Sequence, residues 1–124
     1  MNTDTLLKLV IDTSEEFKAL DLKVLKVDNL CDFADYFVIM SGGSTTQVKA
    51  ICEELYARCK QGGRQALSMD GLAAAEWCLL DFGDIVVHIF LPEKRTYYAL
   101  EELWSEAEIT YTGGEQLYEG GEQL

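Results

Sequence analysis

An unbroken apolar run, Tyr36 to Met40, limits the folds open to this chain more than any other segment. Five consecutive apolar residues are typical of a strand that is buried on both faces, because a half-exposed strand alternates apolar and polar side chains. Such a strand needs other strands beside it and further elements packed above and below it. The run therefore predicts a central strand in a layered sheet domain.

Periodic patterns around this run predict the neighbouring elements. Apolar residues at every third or fourth position indicate an opening helix that ends near Leu20, and alternation indicates a strand over residues 21–28. Ser44 and Gln47 have the spacing of a capping box, so a second helix should begin there. Gly62-Gly63 supplies the left-handed residue that ends this helix.

The next segments favour short strands. A strand near residues 66–69 precedes a turn at Asp70-Gly71, and strands at 77–81 and 85–90 are joined tightly at Phe82-Gly83. Together with the helices, this order predicts an α/β or α+β domain in which helices flank a mixed β-sheet.

A last helix and a tail complete the predicted organisation. Pro92 occupies a first-turn position of the helix, whose apolar residues are Tyr97, Leu100, Leu103 and Trp104. From Ser105 the periodicity is lost, and the string Gly-Gly-Glu-Gln-Leu at 113–117 recurs at 120–124. The sequence thus predicts one domain over residues 1–104 and a disordered, acidic, low-complexity tail over 105–124.

The charge of the chain is negative and uneven. Asp and Glu total 22 against 10 Lys and Arg, a net charge of −12, and residues 96–124 include seven Glu and no base. Such a chain repels phosphate backbones, so little direct nucleic-acid binding is expected. The charge suits a basic protein partner. A contribution to solubility alone is the competing explanation.

The sequence gives no sign of a metal site or a membrane segment. The four cysteines form no CxxC pair, and His88 is the single histidine, so neither zinc nor another cofactor is expected. The chain begins without a basic, apolar leader, and no apolar stretch approaches the ~20 residues of a membrane span. We therefore expect a cytoplasmic protein with reduced thiols and no membrane association.

The predicted hairpin separates two sets of side chains. A turn at Phe82-Gly83 would set Asp81 opposite Asp84, Leu79 opposite Val86, and Trp77 opposite His88. The intervening residues are all apolar and should face the core: Cys78, Leu80, Ile85, Val87 and Ile89. The opposite face, with an aromatic centre and carboxylates at one end, resembles a protein-binding patch. Alternatively, a further helix covers this face and buries Trp77.

The loop from Ser41 to Ser44 permits a second interpretation. Glycine and serine between a buried strand and a helix could bind an anion, as in nucleotidyltransferases, which also need a carboxylate pair for metal ions. Here the available pair, Glu53 and Glu54, lies on the predicted helix, where adjacent side chains diverge by about 100°. A simple helix entry explains the loop better. The lone His88 is interpreted as structural.

One set of motifs resembles a known family. The motifs are Asp35 to Ile39, Ser41-Gly42, Trp77 to Asp81, Gly83 to Phe90, Arg95, Tyr98, Leu100-Glu101 and Leu103-Trp104. From about Leu6 to Trp104 the chain resembles the Iojap or ribosomal silencing factor family. It departs from the family's usual form at Met69-Asp70-Gly71, where Glu-Gly is common, and in the tail.

The resemblance implies a fold like that of nucleotidyltransferases without their catalytic carboxylates, and a function in binding rather than catalysis. Family members bind the fourteenth protein of the large ribosomal subunit at the inter-subunit face. They block subunit joining and so repress translation when nutrients are scarce, while organellar relatives act in large-subunit assembly. On this basis the residues that face the partner are Trp77, Leu79, Asp81, Asp84 and Tyr98, with Asp70 and Glu76 on the rim.

Three alternatives remain open from the sequence. The chain could be a metal-dependent enzyme of nucleotidyl-transfer type that uses the Ser41 to Ser44 loop. It could be an assembly factor for the large subunit. It could also associate with itself through the exposed sheet face, in which case a homodimer would form when the chain is free and dissociate when the partner is added.

Overall fold

The structure is a computed structural model in which residues 1–115 are described. In chain order its elements are α1 (Thr3–Glu16), β1 (Leu20–Lys26), β2 (Tyr36–Ser41), α2 (Thr45–Gln61), β3 (Ser68–Asp70), β4 (Trp77–Asp81), β5 (Ile85–Phe90), α3 (Pro92–Tyr98), α4 (Leu100–Leu103) and β6 (Glu108–Gly113). The mixed sheet with flanking helices confirms the predicted fold class.

Strand β2 lies inside the sheet, as its apolar run predicts. The six strands have the order β3-β4-β5-β2-β1-β6. β2 runs parallel to β5 and antiparallel to β1, and the remaining pairs are antiparallel. Residues 37–41 of β2 are all buried, which requires cover on both sides of the sheet.

Helices α1 and α2 cover one side, which we call the helix face. Their apolar stripes pack on the sheet through side chains that are almost completely buried. The main members are Leu6, Val10, Val48, Ile51, Leu55, Val24, Leu80, Ile85, Val87 and Ile89. Cys52, Cys59 and Cys78 belong to the same cluster as free thiols, so these cysteines act as small core residues.

Capping fixes both ends of α2. The Ser44 hydroxyl accepts a hydrogen bond from the Gln47 amide at 3.1 Å, and Gln47 Oε1 accepts one from the Gly43 amide at 2.6 Å. The reciprocal bond of the box therefore reaches one residue further back than the usual pattern. At the other end Gly63 has φ +105°, and the Arg64 amide donates to the Cys59 carbonyl, which completes the predicted glycine stop.

The opposite side of the sheet, which we call the aromatic face, carries a smaller core. Its buried members are Leu25, Val27, Ala34, Phe37, Ile39, Val86 and Phe90. Partly buried residues from α4 and the segment that follows it, Leu100, Trp104 and Ala107, pack against this cluster. The cover is therefore incomplete, in contrast to the two long helices on the helix face.

Two predictions about the end of the chain are wrong. The last helix is broken at Ala99, whose left-handed φ of 49° separates α3 from α4. Residues 108–113, predicted as part of a disordered tail, form β6, which pairs antiparallel with β1. The predicted tail from residue 116 onward lies outside the described residues. Within residues 1–115, no helix is long and apolar enough to span a membrane.

Candidate protein-docking surface

The β4–β5 hairpin builds the centre of the aromatic face, in a register shifted by two residues from the predicted one. The observed pairs are Trp77 with Phe90, Leu79 with His88, and Asp81 with Val86. The Phe82 amide donates to the Ile85 carbonyl, and Gly83, with φ +92°, takes the first position of a two-residue turn completed by Asp84. Because a shift of two residues keeps every side chain on its side, the predicted separation of faces is confirmed.

Trp77 is half-buried among other rings. Its indole stacks on Phe90 at 4.9 Å between centroids with an interplanar angle of 26°, and Tyr98 of α3 packs against it at 4.7 Å. The indole Nε1 donates a hydrogen bond to His88 Nδ1 at 3.2 Å. Trp77 is therefore neither a free surface residue nor covered by a helix. It is an anchored ring with an accessible part, typical of an interface residue.

His88 is buried and neutral beneath this ring. Only 5% of its surface is exposed, and burial lowers the pKa of His88 from its ordinary 6.5 to about 4. Its ring also makes an edge contact with Phe37 at 5.3 Å. The prediction of a structural histidine agrees with this environment, and its bond to Trp77 connects it to the surface.

The aromatic surface extends from Trp77 across the sheet. Phe37 contacts Trp104 edge-on at 5.0 Å, and Phe33 lies 6.1 Å from Phe37 and 6.3 Å from Trp104. Phe33 is 63% exposed and Tyr98 is 49% exposed. Large exposed rings beside a packed aromatic cluster are a feature of protein-binding sites rather than of an inert surface.

Three of the carboxylates predicted to contact the partner lie along β3 and at the two ends of β4. Asp70 of β3 pairs with Leu79, so it shares the side of the sheet that carries Trp77, and it is exposed. Glu76 is exposed beside Lys94, at 3.7 Å. Asp81 accepts a hydrogen bond from the Gly83 amide at 2.8 Å and remains partly exposed. Because Glu76 precedes β4 and Asp81 ends it, these groups distribute negative charge along this edge of the sheet.

Asp84, also predicted at this rim, is bound elsewhere. Its carboxylate accepts hydrogen bonds from Arg64, which follows α2, and from Thr3 at the start of α1, at 2.5 and 2.6 Å. Burial alone would raise the pKa of Asp84, but the bonds from Arg64 and Thr3 hold it below its ordinary value. The carboxylate therefore ties the hairpin turn to the helix face, and the structure does not bring it to the Trp77 rim.

The Ser41 to Ser44 loop has a structural role. Ser44 and Gly43 complete the start of α2, and the Ser41 hydroxyl accepts a hydrogen bond from Arg95 at 3.1 Å. Glu54 pairs with Arg58 on the same helix, while Glu53 is exposed. In residues 1–115 no group of three His, Cys, Asp or Glu side chains is arranged to hold a metal ion.

Sequence reasoning assigned no role to one buried ion pair. Arg95 of α3 donates two hydrogen bonds to Glu101 of α4, at 2.8 and 3.0 Å, and Lys23 lies 3.4 Å from the same carboxylate. The bonds from Arg95 hold the pKa of Glu101 below its ordinary value. These residues line a polar groove of about 480 Å³ beside β1 and β2. Both Arg95 and Glu101 occur in the family motif, but their pairing spans a helix break that periodicity does not reveal.

The fold and this surface define a small sheet domain that presents a partly covered aromatic patch with an acidic edge. A family model described as "ribosomal silencing factor during starvation" matches residues 1–121. The chain therefore belongs to the ribosomal silencing factor family, which confirms the resemblance found in its motifs.

Individual relatives agree with this assignment. The ribosomal silencing factor of Bacillus subtilis is 38% identical over 109 residues, which are 88% of this chain and 92% of that protein. The mouse protein named for mitochondrial assembly of the ribosomal large subunit is 33% identical over 100 residues, 78% of this chain and 44% of that protein. A crystal structure of a Chromobacterium violaceum protein has a TM-score of 0.82 at 33% identity, covering 85% of this chain and 88% of that one.

Proposed function

We propose that this chain is a non-catalytic repressor of translation in the cytoplasm. It binds the large ribosomal subunit through the fourteenth protein of that subunit, at the inter-subunit face. When nutrients are scarce, the bound chain blocks joining of the small subunit. The observation that carries the proposal is the aromatic face, where the half-buried Trp77 packs beside the exposed ring of Tyr98 in a member of this family.

Trp77 has the properties of an interface anchor. Binding energy concentrates in a few large side chains that fill pockets of the partner, and Trp and Tyr are prominent among them. Trp77 is held by Phe90 and Tyr98 before any partner arrives, so little conformational entropy is lost when it docks. We propose Trp77, Leu79 and Tyr98 as the centre of the contact.

The charge around this centre favours a basic partner. Asp70, Glu76 and Asp81 are proposed as the rim, in a chain whose net charge is −12. Complementary charge at a rim speeds encounter and disfavours wrong partners, even where it adds little affinity. Asp84 is left out of this rim because its carboxylate is bound by Arg64 and Thr3.

The proposed mechanism is steric. A chain of 124 residues folds to a radius of gyration of about 14 Å. A body of this size at the inter-subunit face prevents two surfaces from meeting without any chemical step. Repression then depends only on affinity and abundance, which explains how the fold can act without a catalytic site.

Sedimentation with bacterial large subunits tests the binding step. Wild-type chain should sediment with them at physiological salt, and Trp77→Ala should stay in the supernatant while its thermal unfolding remains cooperative. Tyr56→Ala provides a matched control, because Tyr56 is a partly exposed aromatic of α2 on the helix face. Sedimentation of Trp77→Ala like the wild type would contradict the proposed surface.

A light-scattering assay tests the steric step. Wild-type chain bound to large subunits should reduce the scattering increase that follows addition of small subunits. Full binding without any effect on joining would rule out the blocking mechanism.

A role in large-subunit assembly is the second candidate, favoured by the name of the mouse relative. In that case depletion of the chain should cause precursors of the large subunit to accumulate under rich growth conditions. A pure silencing role predicts normal precursor levels in rich medium and excess translation during starvation.

A further inference from the structure

The hydrogen bond between Trp77 and His88 differs in kind from the other contacts of the indole. Phe90 and Tyr98 hold the indole through ring contacts. Ring stacking tolerates sliding and rotation, because dispersion and burial depend weakly on which edge of a ring points in which direction. The bond from Nε1 to His88 Nδ1 at 3.2 Å is directional. It therefore fixes which edge of the indole points toward His88.

The state of His88 suits this task. A nitrogen that accepts a hydrogen bond carries no proton, so the ring proton of neutral His88 lies on Nε2. Burial lowers the pKa of His88 to about 4, so Nδ1 keeps its lone pair near neutral pH.

Using Nδ1 of His88 as the acceptor leaves the other ring nitrogen as a buried donor. His88 Nε2 is buried and has no hydrogen-bond partner among residues 1–115. A buried N–H without a partner destabilises a fold, and an apolar residue of similar shape would avoid this loss. Packing alone therefore does not explain a histidine here, whereas an acceptor for Trp77 does.

We propose that His88 is a positioning residue, which holds the Trp77 indole in the orientation that docks on the ribosomal partner. The inference rests on the proposed function, since it assigns His88 a role in that same contact. His88 itself lies beneath the surface and touches the partner only through Trp77.

Two substitutions separate hydrogen bonding from packing. Asn carries an oxygen acceptor one bond beyond Cγ, as Nδ1 is in His, while Leu carries a methyl group there. His88→Leu should change stability little, because it removes the unpartnered Nε2–H of His88 but leaves the partly buried indole N–H of Trp77 without its acceptor. His88→Asn should be less stable, because its amide donors lie in the same buried site. The proposal predicts the reverse order for binding.

The hydrogen bond that sets the orientation is measured first, on the full chain without a partner. The chain has two tryptophans, so a ¹H–¹⁵N correlation spectrum contains two indole N–H signals, and that of Trp104 serves as the reference. In His88→Leu the Trp77 signal should move or broaden, while in His88→Asn it should stay close to its wild-type position. An unchanged Trp77 signal in His88→Leu would overturn the proposal, regardless of the affinity for large subunits.

Binding to isolated large subunits is measured next. His88→Leu should weaken affinity by about tenfold, which corresponds to loss of one well-placed hydrogen bond. His88→Asn should remain within about threefold of the wild type despite its lower stability. Equal affinities of the wild type and His88→Leu would overturn the proposal, and so would equal losses in the two variants.

A double-mutant cycle identifies the bond itself. Trp77→Phe keeps an aromatic ring without the donor, so adding His88→Leu to this variant should have no further effect on affinity. Additive losses would show that His88 acts through packing, against the proposal. Failure of the proposed function has a different signature: Trp77→Ala would then bind like the wild type, while the spectra still report the orientation.

Discussion

The two sides of the sheet are built from different residues, although the same strands supply both. On the helix face, aliphatic side chains and thiols are almost fully buried under α1 and α2. On the aromatic face, a smaller cluster is covered only in part, and rings such as Phe33 and Tyr98 remain exposed. Burial of the first kind provides stability, whereas partly covered rings retain apolar area that a partner can still bury.

Adjacent leucines in β4 give the sharpest test of this contrast. Leu80 is completely buried on the helix face, while Leu79 on the aromatic face is only half-buried. Leu80→Ala should lower the free energy of unfolding by about 3 kcal/mol, through lost burial and the cavity left behind. Leu79→Ala should cost about 1 kcal/mol, because less area is removed from contact. Urea denaturation measures both; equal losses would mean that the two sides contribute alike to stability.

Acid should weaken the fold through the aromatic face. Burial lowers the pKa of His88 from 6.5 to about 4, so the unfolded chain takes up the proton first as pH falls. The free energy of unfolding should therefore fall between these two pH values, by about 3 kcal/mol in all, because the folded chain resists protonation of the buried ring. The measurement is the difference in unfolding free energy between wild type and His88→Leu from neutral pH to below 4. A constant difference would show that His88 has the same pKa in the folded and the unfolded chain.

Removal of β6 should affect stability more than binding. A chain ending at Trp104 loses the pairing with β1 and the bond from the Tyr111 hydroxyl to Glu15 of α1, which is 2.6 Å long. Loss of several cross-strand pairs and one hydrogen bond should lower the free energy of unfolding by about 2 kcal/mol. Large-subunit affinity, measured where the truncated chain is folded, should remain near that of the wild type. A loss of affinity at full stability would place β6 in the contact.

The smallest expected effect concerns charge at the edge of the aromatic face. Asp70→Asn with Asp81→Asn should slow association with the isolated ribosomal protein by a few fold at low salt, and the effect should vanish as salt screens the charges. Asp84→Asn should leave the on-rate unchanged and reduce stability, because that carboxylate binds Arg64 and Thr3. Stopped-flow kinetics of the wild type, the double variant and Asp84→Asn measure these on-rates. A slower on-rate for Asp84→Asn would show that this carboxylate also contributes to association.

Sequence patterns predicted correctly those elements whose formation depends on residues close together in the chain. The apolar run of β2 and the capping residues of α2 each specify their element within a few positions. For the β4–β5 hairpin, the sequence predicted the facing of the side chains but not the register. Its register was predicted two residues away from the observed one, yet Trp77 and Leu80 were assigned to the correct sides, because side-chain direction has a period of two residues.

Features that depend on distant partners were missed. β6 is mostly exposed and has no buried alternation; it is a strand because β1 offers an open edge more than 80 residues earlier in the chain. The left-handed Ala99 and the Arg95–Glu101 pair arise together where α3 gives way to α4. The role of Asp84 depends on Arg64 and Thr3, which its own neighbourhood in the sequence does not indicate.

The order of strands also has a consequence for synthesis of the chain. β1 is made before eight of the other described elements, whereas β6, its neighbour at the sheet edge, is the last element described. One side of β1 therefore stays unpaired until residues 108–113 have emerged, and exposed strand edges are sites of mispairing between chains. On a polysome, where many copies are made close together, nascent chains could pair with one another through this edge of β1 until β6 has been made.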